Sequence, residues 1–113
     1  MGTIAGYYTL SAAEISLSDV PQSEAARLPL YPSIPVARVG RLAVDRRFQG
    51  QKIGTALIGD AVVRASTSDV AVFAVIVDAK DAISEAFYRH HGFVNYGAEP
   101  GMLIAPIKKL LGR

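Results

Sequence analysis

The sequence predicts an α/β domain built on a parallel strand–helix–strand unit, and three observations carry that expectation. A stretch of strand formers covers 36–44 and runs into a glycine-bearing turn. Ile53, Leu57 and Ala61 then recur four apart, the spacing of one helical face. Residues 70–77 are apolar at nearly every position, as a parallel strand covered on both faces has to be. Strand, helix and strand in that order make a parallel unit. The chain has 113 residues, 50% of them hydrophobic and 19% charged, so it has room for one packed domain over 1–113 and is too apolar to remain disordered.

Taken in order, residues 6–11 are rich in strand formers and 14–17 alternate polar with apolar, which predicts one strand or two before Pro21. Residues 22–28 can hold one or two helical turns with Ser23 as N-cap. Pro29, Pro32 and Pro35 are expected to keep the following stretch an irregular surface loop. Within 36–44 the apolar parity changes: Val39 is odd, Leu42 and Val44 are even, and Gly40 sits at the switch. A slip of one residue around a glycine predicts either a plain strand bend or a β-bulge, a device that re-aims backbone groups and is frequent beside active sites.

The helix that opens near Ile53 is expected to run to about Ser66. Asp45 and Asp78 read as capping or loop-closing residues. A second helix over 82–91 has Ile83, Ala86 and Phe87 on one face, with Gly92 placed to end it. Phe93 and Val94 open a further strand, 102–107 another, and 108–113 form a short basic end.

Zero cysteines exclude a disulfide scaffold, a thiolate zinc site and a cysteine nucleophile. His90 and His91 suit the negative end of a helix better than a metal, so no metal is expected. The longest apolar stretch is far shorter than the ~20 residues that span a bilayer, and no charged segment leads into an apolar one at Met1. A cytoplasmic protein without a membrane partner is the expectation.

A glycine-bearing turn that feeds a helix collects unpaired N–H groups and the positive helix end at one spot, which binds anions. Gly50 and Gly54 allow close approach, and Arg46, Arg47 and Lys52 add positive charge, so a pyrophosphate is the natural guest. The P-loop pattern fails because Ile53 follows Lys52, and the dinucleotide fingerprint fails because Gly50 and Gly54 do not fit G-x-G-x-x-G.

Gln49-Gly50-Gln51-Lys52-Ile53-Gly54-Thr55-Ala56 instead resembles the acyl-CoA-binding loop of the GNAT acetyltransferases, Q/R-x-x-G-x-G/A, with Lys52 standing where that pattern has its first glycine. Residues 81–93, which end in Tyr88-Arg89-His90-His91-Gly92-Phe93, look like the second signature of the family, Y-x-x-x-G-F. Residues 6–10, 40–50 and 79–81 are especially similar to GNAT-type toxins of bacterial toxin–antitoxin pairs.

The resemblance implies a mixed central sheet and acetyl-CoA as cosubstrate. It assigns the pantetheine arm and acetyl carbonyl to the backbone of Leu42, Ala43 and Val44. It assigns the pyrophosphate to Gln49, Gly50, Gln51, Lys52, Ile53, Gly54 and Thr55. Tyr88 would be the general acid that reprotonates the departing thiolate; a phenol of pKa about 10 is protonated at neutral pH and can donate. The implied acceptor is the amino group of aminoacyl-tRNA, and the implied partner a ribbon-helix-helix antitoxin.

The first strand and two helices of the family are not matched in this chain, which leaves open a silent remnant that binds CoA or a partner protein, or an enzyme for a small amine or a protein. Tyr7, Tyr8, Thr9 and Leu10 carry neither charge nor proline, so their strand is expected to present an unprotected edge and to pair with a second copy as a homodimer.

Overall fold

Ala74, Val75, Ile76 and Val77 give a strand with no polar face, so it is stable only where both faces are covered. The computed structural model, which describes residues 6–44, 53–68 and 71–112, sets this strand, β3 (Ala74–Asp78), at the centre of a five-stranded sheet. The chain enters through β1 (Gly6–Ser16), a 3-10 turn (Leu17–Asp19) and the short α1 (Gln22–Ala25), and returns in β2 (Ser33–Val44). It continues through α2 (Ile53–Ser66) to β3, then α3 (Ala82–His90), β4 (Val94–Asn95), β5 (Met102–Pro106) and α4 (Ile107–Leu110).

The strand order is β1-β2-β3-β5-β4. β2 and β3 are parallel and joined through α2, as expected, and every other pairing is antiparallel, so the sheet is mixed.

Of the one or two strands expected before Pro21 there is one, because the ladder to β2 continues without interruption from Leu10 to Ser16. Three local expectations need correction. β2 begins at Ser33 and carries Pro35 within it. The proline is tolerated because β3 starts one position later: Val36 is the first residue with a partner in β3, and the Pro35 carbonyl accepts from Phe73 N–H at 3.0 Å. Ser23 is not an N-cap; Pro21 precedes the helix, and the Ser23 hydroxyl donates instead to Glu24 Oε2 at 2.8 Å. Asp78 does not cap α3. Asp81 does, accepting from Ser84 N–H at 2.8 Å, and those hydrogen bonds hold its carboxyl below the usual carboxylate range. Asp45 lies outside the described residues.

Each sheet face has its own core. Ala37, Val39, Val75, Val77, Leu103 and Ala105 pack under α2, α3 and α4, while Ile34, Val36, Ala74, Ile76 and Ile104 lie under the segment after β1. Phe93, Ile76, Leu103 and Ile104 are almost wholly buried, each burial being worth about 1.5–3 kcal/mol.

One buried charge joins α1 to α4. Glu24 is 5% exposed, yet its carboxyl sits below the ordinary value: burial pushes it up, and hydrogen bonds from Lys109 Nζ at 2.6 Å and from Ser23 more than offset that. Lys109→Met leaves the carboxylate buried and short of its main partner, and is expected to cost about 2–3 kcal/mol in chemical denaturation. Because the folded pKa is lowered, the stability Glu24 contributes is present above its unfolded pKa and is lost as pH falls through the folded value. Stability of the Lys109→Met protein equal to that of the parent would contradict this.

Candidate functional site

β2 outlasts its parallel partner, since β3 ends at Asp78. The β2–β3 ladder runs from Val36 beside Ala74 to Val39 beside Val77 and stops, whereas β2 continues to Val44, still paired on its other side with Gly6 of β1. Leu42, Ala43 and Val44 therefore lie on a stretch of strand whose β3-facing edge carries no ladder to β3.

The cause is local. Tyr8 pairs with Leu42 and Leu10 with Val39, so Thr9 alone faces both Gly40 and Arg41. This is the bulge expected from the parity slip: the extra residue bends β2, and Val39 and Leu42 both reach the core under α2 despite their different parity. A side chain at Gly40 would place its Cβ 2.7 Å from Thr9 Oγ1, so the close approach favours glycine.

α2 starts on the same side of the sheet. Ile53, Gly54 and Thr55 make its first turn, which has no acidic residue to oppose an anion at the positive helix end. Thr55 Oγ1 lies 3.2 Å from His91 Nε2, which links this turn to the end of α3. Burial and the neighbouring His90 depress the His91 pKa. Gln49, Gly50, Gln51 and Lys52, with Arg46 and Arg47, lie outside the described residues.

A brace holds α2 against the bulge. The Tyr8 hydroxyl donates to Asp60, Arg64 Nε sits 3.2 Å from Asp60, and the Arg64 guanidinium lies 5.8 Å from the centre of the Tyr8 ring. Burial and the bond to Asp60 push the Tyr8 phenol up.

Tyr88 projects from α3 into the core shared by Val39, Val77 and Ala79, and is 7% exposed. Its ring meets Phe87 and Phe93 edge to face, with centroids 5.3 and 5.5 Å away. Burial alone pushes its pKa above the ordinary value, which keeps the phenol protonated at neutral pH.

Sequence reasoning missed two contributors. Gly101, at φ 85°, holds the end of β3: its carbonyl accepts from Ala79 N–H at 2.7 Å, and a Cβ there would come 2.5 Å from the Ala79 carbonyl oxygen. Asp78, read as a cap, instead stands exposed at the end of β3. The signal for it was its place as the first polar residue after an apolar run.

Among the described residues no helix is long and apolar enough to cross a membrane, and no group of three or more His, Asp or Glu side chains is arranged to hold a metal.

Comparison with known proteins matches residues 30–102 to the Acetyltransferase (GNAT) domain. The chain is 30% identical over 109 residues to a tRNA-acetylating toxin of Mycobacterium tuberculosis, which covers 95% of this chain and 64% of the toxin. Thus the chain spans less than two thirds of that relative's length. Among solved structures it is similar to AtaT complexed with acetyl-methionyl-tRNAfMet, with a TM-score of 0.80 and 32% identity over 96% of this chain and 67% of that one. It is also similar to a tyrosine-to-phenylalanine mutant of the AtaT toxin bound to the C-terminus of the antitoxin AtaR and acetyl-CoA, with a TM-score of 0.72, 29% identity, and 96% and 66% of the two chains covered.

Proposed function

Because this chain belongs to the GNAT acetyltransferase family, we propose that it is an acetyl-CoA-dependent N-acetyltransferase acting on the amino group of aminoacyl-tRNA, as the toxin of a toxin–antitoxin pair. The observation that carries the reading is the stretch of β2 that runs on past the bulge to Val44 with no ladder to β3 beyond Val39. An open strand edge offers N–H and C=O groups to an amide-bearing arm such as pantetheine, and the first turn of α2 offers its amides to a pyrophosphate. The likeness to AtaT structures that hold acetyl-CoA and acetyl-methionyl-tRNA supports the choice of both substrates.

In this reading Leu42, Ala43 and Val44 hold the arm and the thioester carbonyl through their backbone. Gln49, Gly50, Gln51, Lys52, Ile53, Gly54 and Thr55 hold the pyrophosphate. The neutral acceptor amine attacks the carbonyl carbon, the C–N bond forms, the C–S bond breaks, and the thiolate takes the Tyr88 hydroxyl proton. The proton lost by the nitrogen returns to Tyr88 through solvent. Much of the advantage lies in positioning the two reactants, and a phenol kept neutral by burial is the acid that remains available.

We also place the protein in the cytoplasm, with a ribbon-helix-helix antitoxin as partner. A homodimer formed through β1 completes the reading; β1 is an edge strand, and Tyr7 and Thr9 on it are exposed.

The test is ligand-linked stability followed by turnover. Acetyl-CoA at a hundred times its dissociation constant is expected to stabilise the fold by ~2.7 kcal/mol, and Gly54→Val to abolish the effect by crowding the first turn of α2. CoA thiol release should then require aminoacyl-tRNA. An undiminished acetyl-CoA response in Gly54→Val overturns the site. Binding without transfer to any amine favours a silent CoA-binding domain.

A further inference from the structure

The two faces of the sheet differ at the point where the β2–β3 ladder ends. Val75 and Val77 of β3 face α2 and Tyr88, so Ala74, Ile76 and Asp78 face the other way. On β2 the same alternation puts Ile34 and Val36 in the opposite core and carries Arg38 to the same face. The segment that covers this face packs near Ile15 and Ile34 and leaves Arg38 and Asp78 exposed.

Arg38 pairs in register with Ile76, two residues before Asp78, so strand geometry sets their Cα atoms roughly 8 Å apart. Tyr96, held beside Met102 by its N–H to the Met102 carbonyl at 3.0 Å, completes the patch. Its phenol is pushed up mainly by burial, and it senses Arg38, Asp19 and Asp78. Among the described residues neither Arg38 nor Asp78 has an ion-pair partner within 4.0 Å. A carboxylate and a guanidinium thus flank the end of the β2–β3 ladder, on the face away from Tyr88, each with its charge unspent.

We propose that Asp78 and Arg38 form the acceptor-recognition patch: Asp78 receives the acceptor's ammonium, and Arg38 a phosphate close to it. This rests on the acetyltransferase reading. The pairing matches an amine attached to a nucleotide end, where an ammonium and a phosphate lie within one residue of each other. A polyamine or a lysine side chain would leave Arg38 without a partner and bring it a second positive charge. Asp78 binds and orients the ammonium through a charge-assisted contact. The proton goes to solvent before attack, and the amine is left on the side of the thioester opposite the acid Tyr88.

The test uses the chain saturated with CoA, so that no turnover occurs, and a non-hydrolysable probe: a nucleoside 5′-monophosphate carrying an amide-linked 3′-amino acid. Its N-acetylated form is the control. Asp78→Asn should weaken the free-amine probe ten- to a hundredfold and leave the acetylated probe unchanged, with Asp78→Glu recovering part of the loss. Arg38→Gln should weaken both probes about tenfold, and removal of the phosphate should erase that difference. Equal weakening of both probes by Asp78→Asn, or no binding of the free-amine probe to the parent protein, overturns the proposal. Failure of CoA itself to bind would count against the acetyltransferase reading instead. Because both residues are exposed, the melting temperatures of the variants should match the parent and exclude misfolding.

Discussion

Tyr88→Phe is expected to lower turnover by roughly 10²–10⁴ while acetyl-CoA binding is retained, the range for losing a general acid. The substitution removes one oxygen and keeps the ring that packs against Phe87 and Phe93, so stability should hardly change. Burial is the only cause of the raised Tyr88 pKa, with no hydrogen bond contributing, so removing the hydroxyl strands no buried partner. Equal loss of acetyl-CoA affinity and turnover would mark the residue as packing alone.

The pH dependence follows in sign. A folded pKa raised above the unfolded value of about 10 means that the contribution of Tyr88 to stability is intact below that value. It is lost as pH rises through the folded pKa. The parent should therefore lose more stability than Tyr88→Phe in strongly alkaline buffer, and neither should differ near neutrality on this account.

Gly101→Ala is expected to be strongly destabilising. At φ 85° an alanine carries backbone strain of about 1–3 kcal/mol, and its Cβ would stand 2.5 Å from the Ala79 carbonyl oxygen, a main-chain atom that cannot rotate away. The carbonyl of Gly101 also receives the Ala79 N–H, so relief of the clash stretches the bond that fixes the end of β3. A cost of about 3 kcal/mol lowers the melting temperature by roughly 12–24 °C for a domain of this size. Gly97 is the control: it too has positive φ, 69°, but nothing lies within 4 Å of its Cβ position, so Gly97→Ala should cost only ~1 kcal/mol. Equal costs at the two glycines would show that backbone conformation, and not the contact with Ala79, decides the effect. Gly101→Ala should also disturb Asp78, whose Oδ1 is 3.5 Å from the same Cβ position.

Much of this architecture was legible before any coordinates. The four-residue recurrence of Ile53, Leu57 and Ala61 and the unbroken apolar run after it impose a helix and a central strand, because no other arrangement buries those side chains. The slip in parity at Gly40 announced the bulge, since a strand that keeps its apolar side chains on one core across an extra residue has no alternative. Gly92 ended α3 at φ 97° as its position after two histidines suggested.

Local pattern failed where a residue's role depends on a neighbour distant in sequence. Pro35 looked like a strand breaker, but its missing N–H is harmless because β3 begins beside Val36. Ser23 looked like a cap, but its hydroxyl is drawn to a glutamate that Lys109, 85 residues from Glu24, holds in a buried site. Asp78 looked like a loop-closing residue, but Asp81 satisfies the helix and leaves Asp78 exposed.

The sequence by itself determined the main helices and strands, their order, the parallel unit and the bulge, because periodicity and glycine placement are properties of short segments, and the resemblance of residues 49–56 and 81–93 to two known signatures pointed to the family. Only the tertiary structure decided that the β2–β3 ladder ends at Val39 and Val77, that Gly101 clasps Ala79, and that Arg38 and Asp78 share the face opposite Tyr88. Those facts belong to strand register and to contacts between remote segments, and register is settled by the burial of both sheet faces at once, which no local window contains.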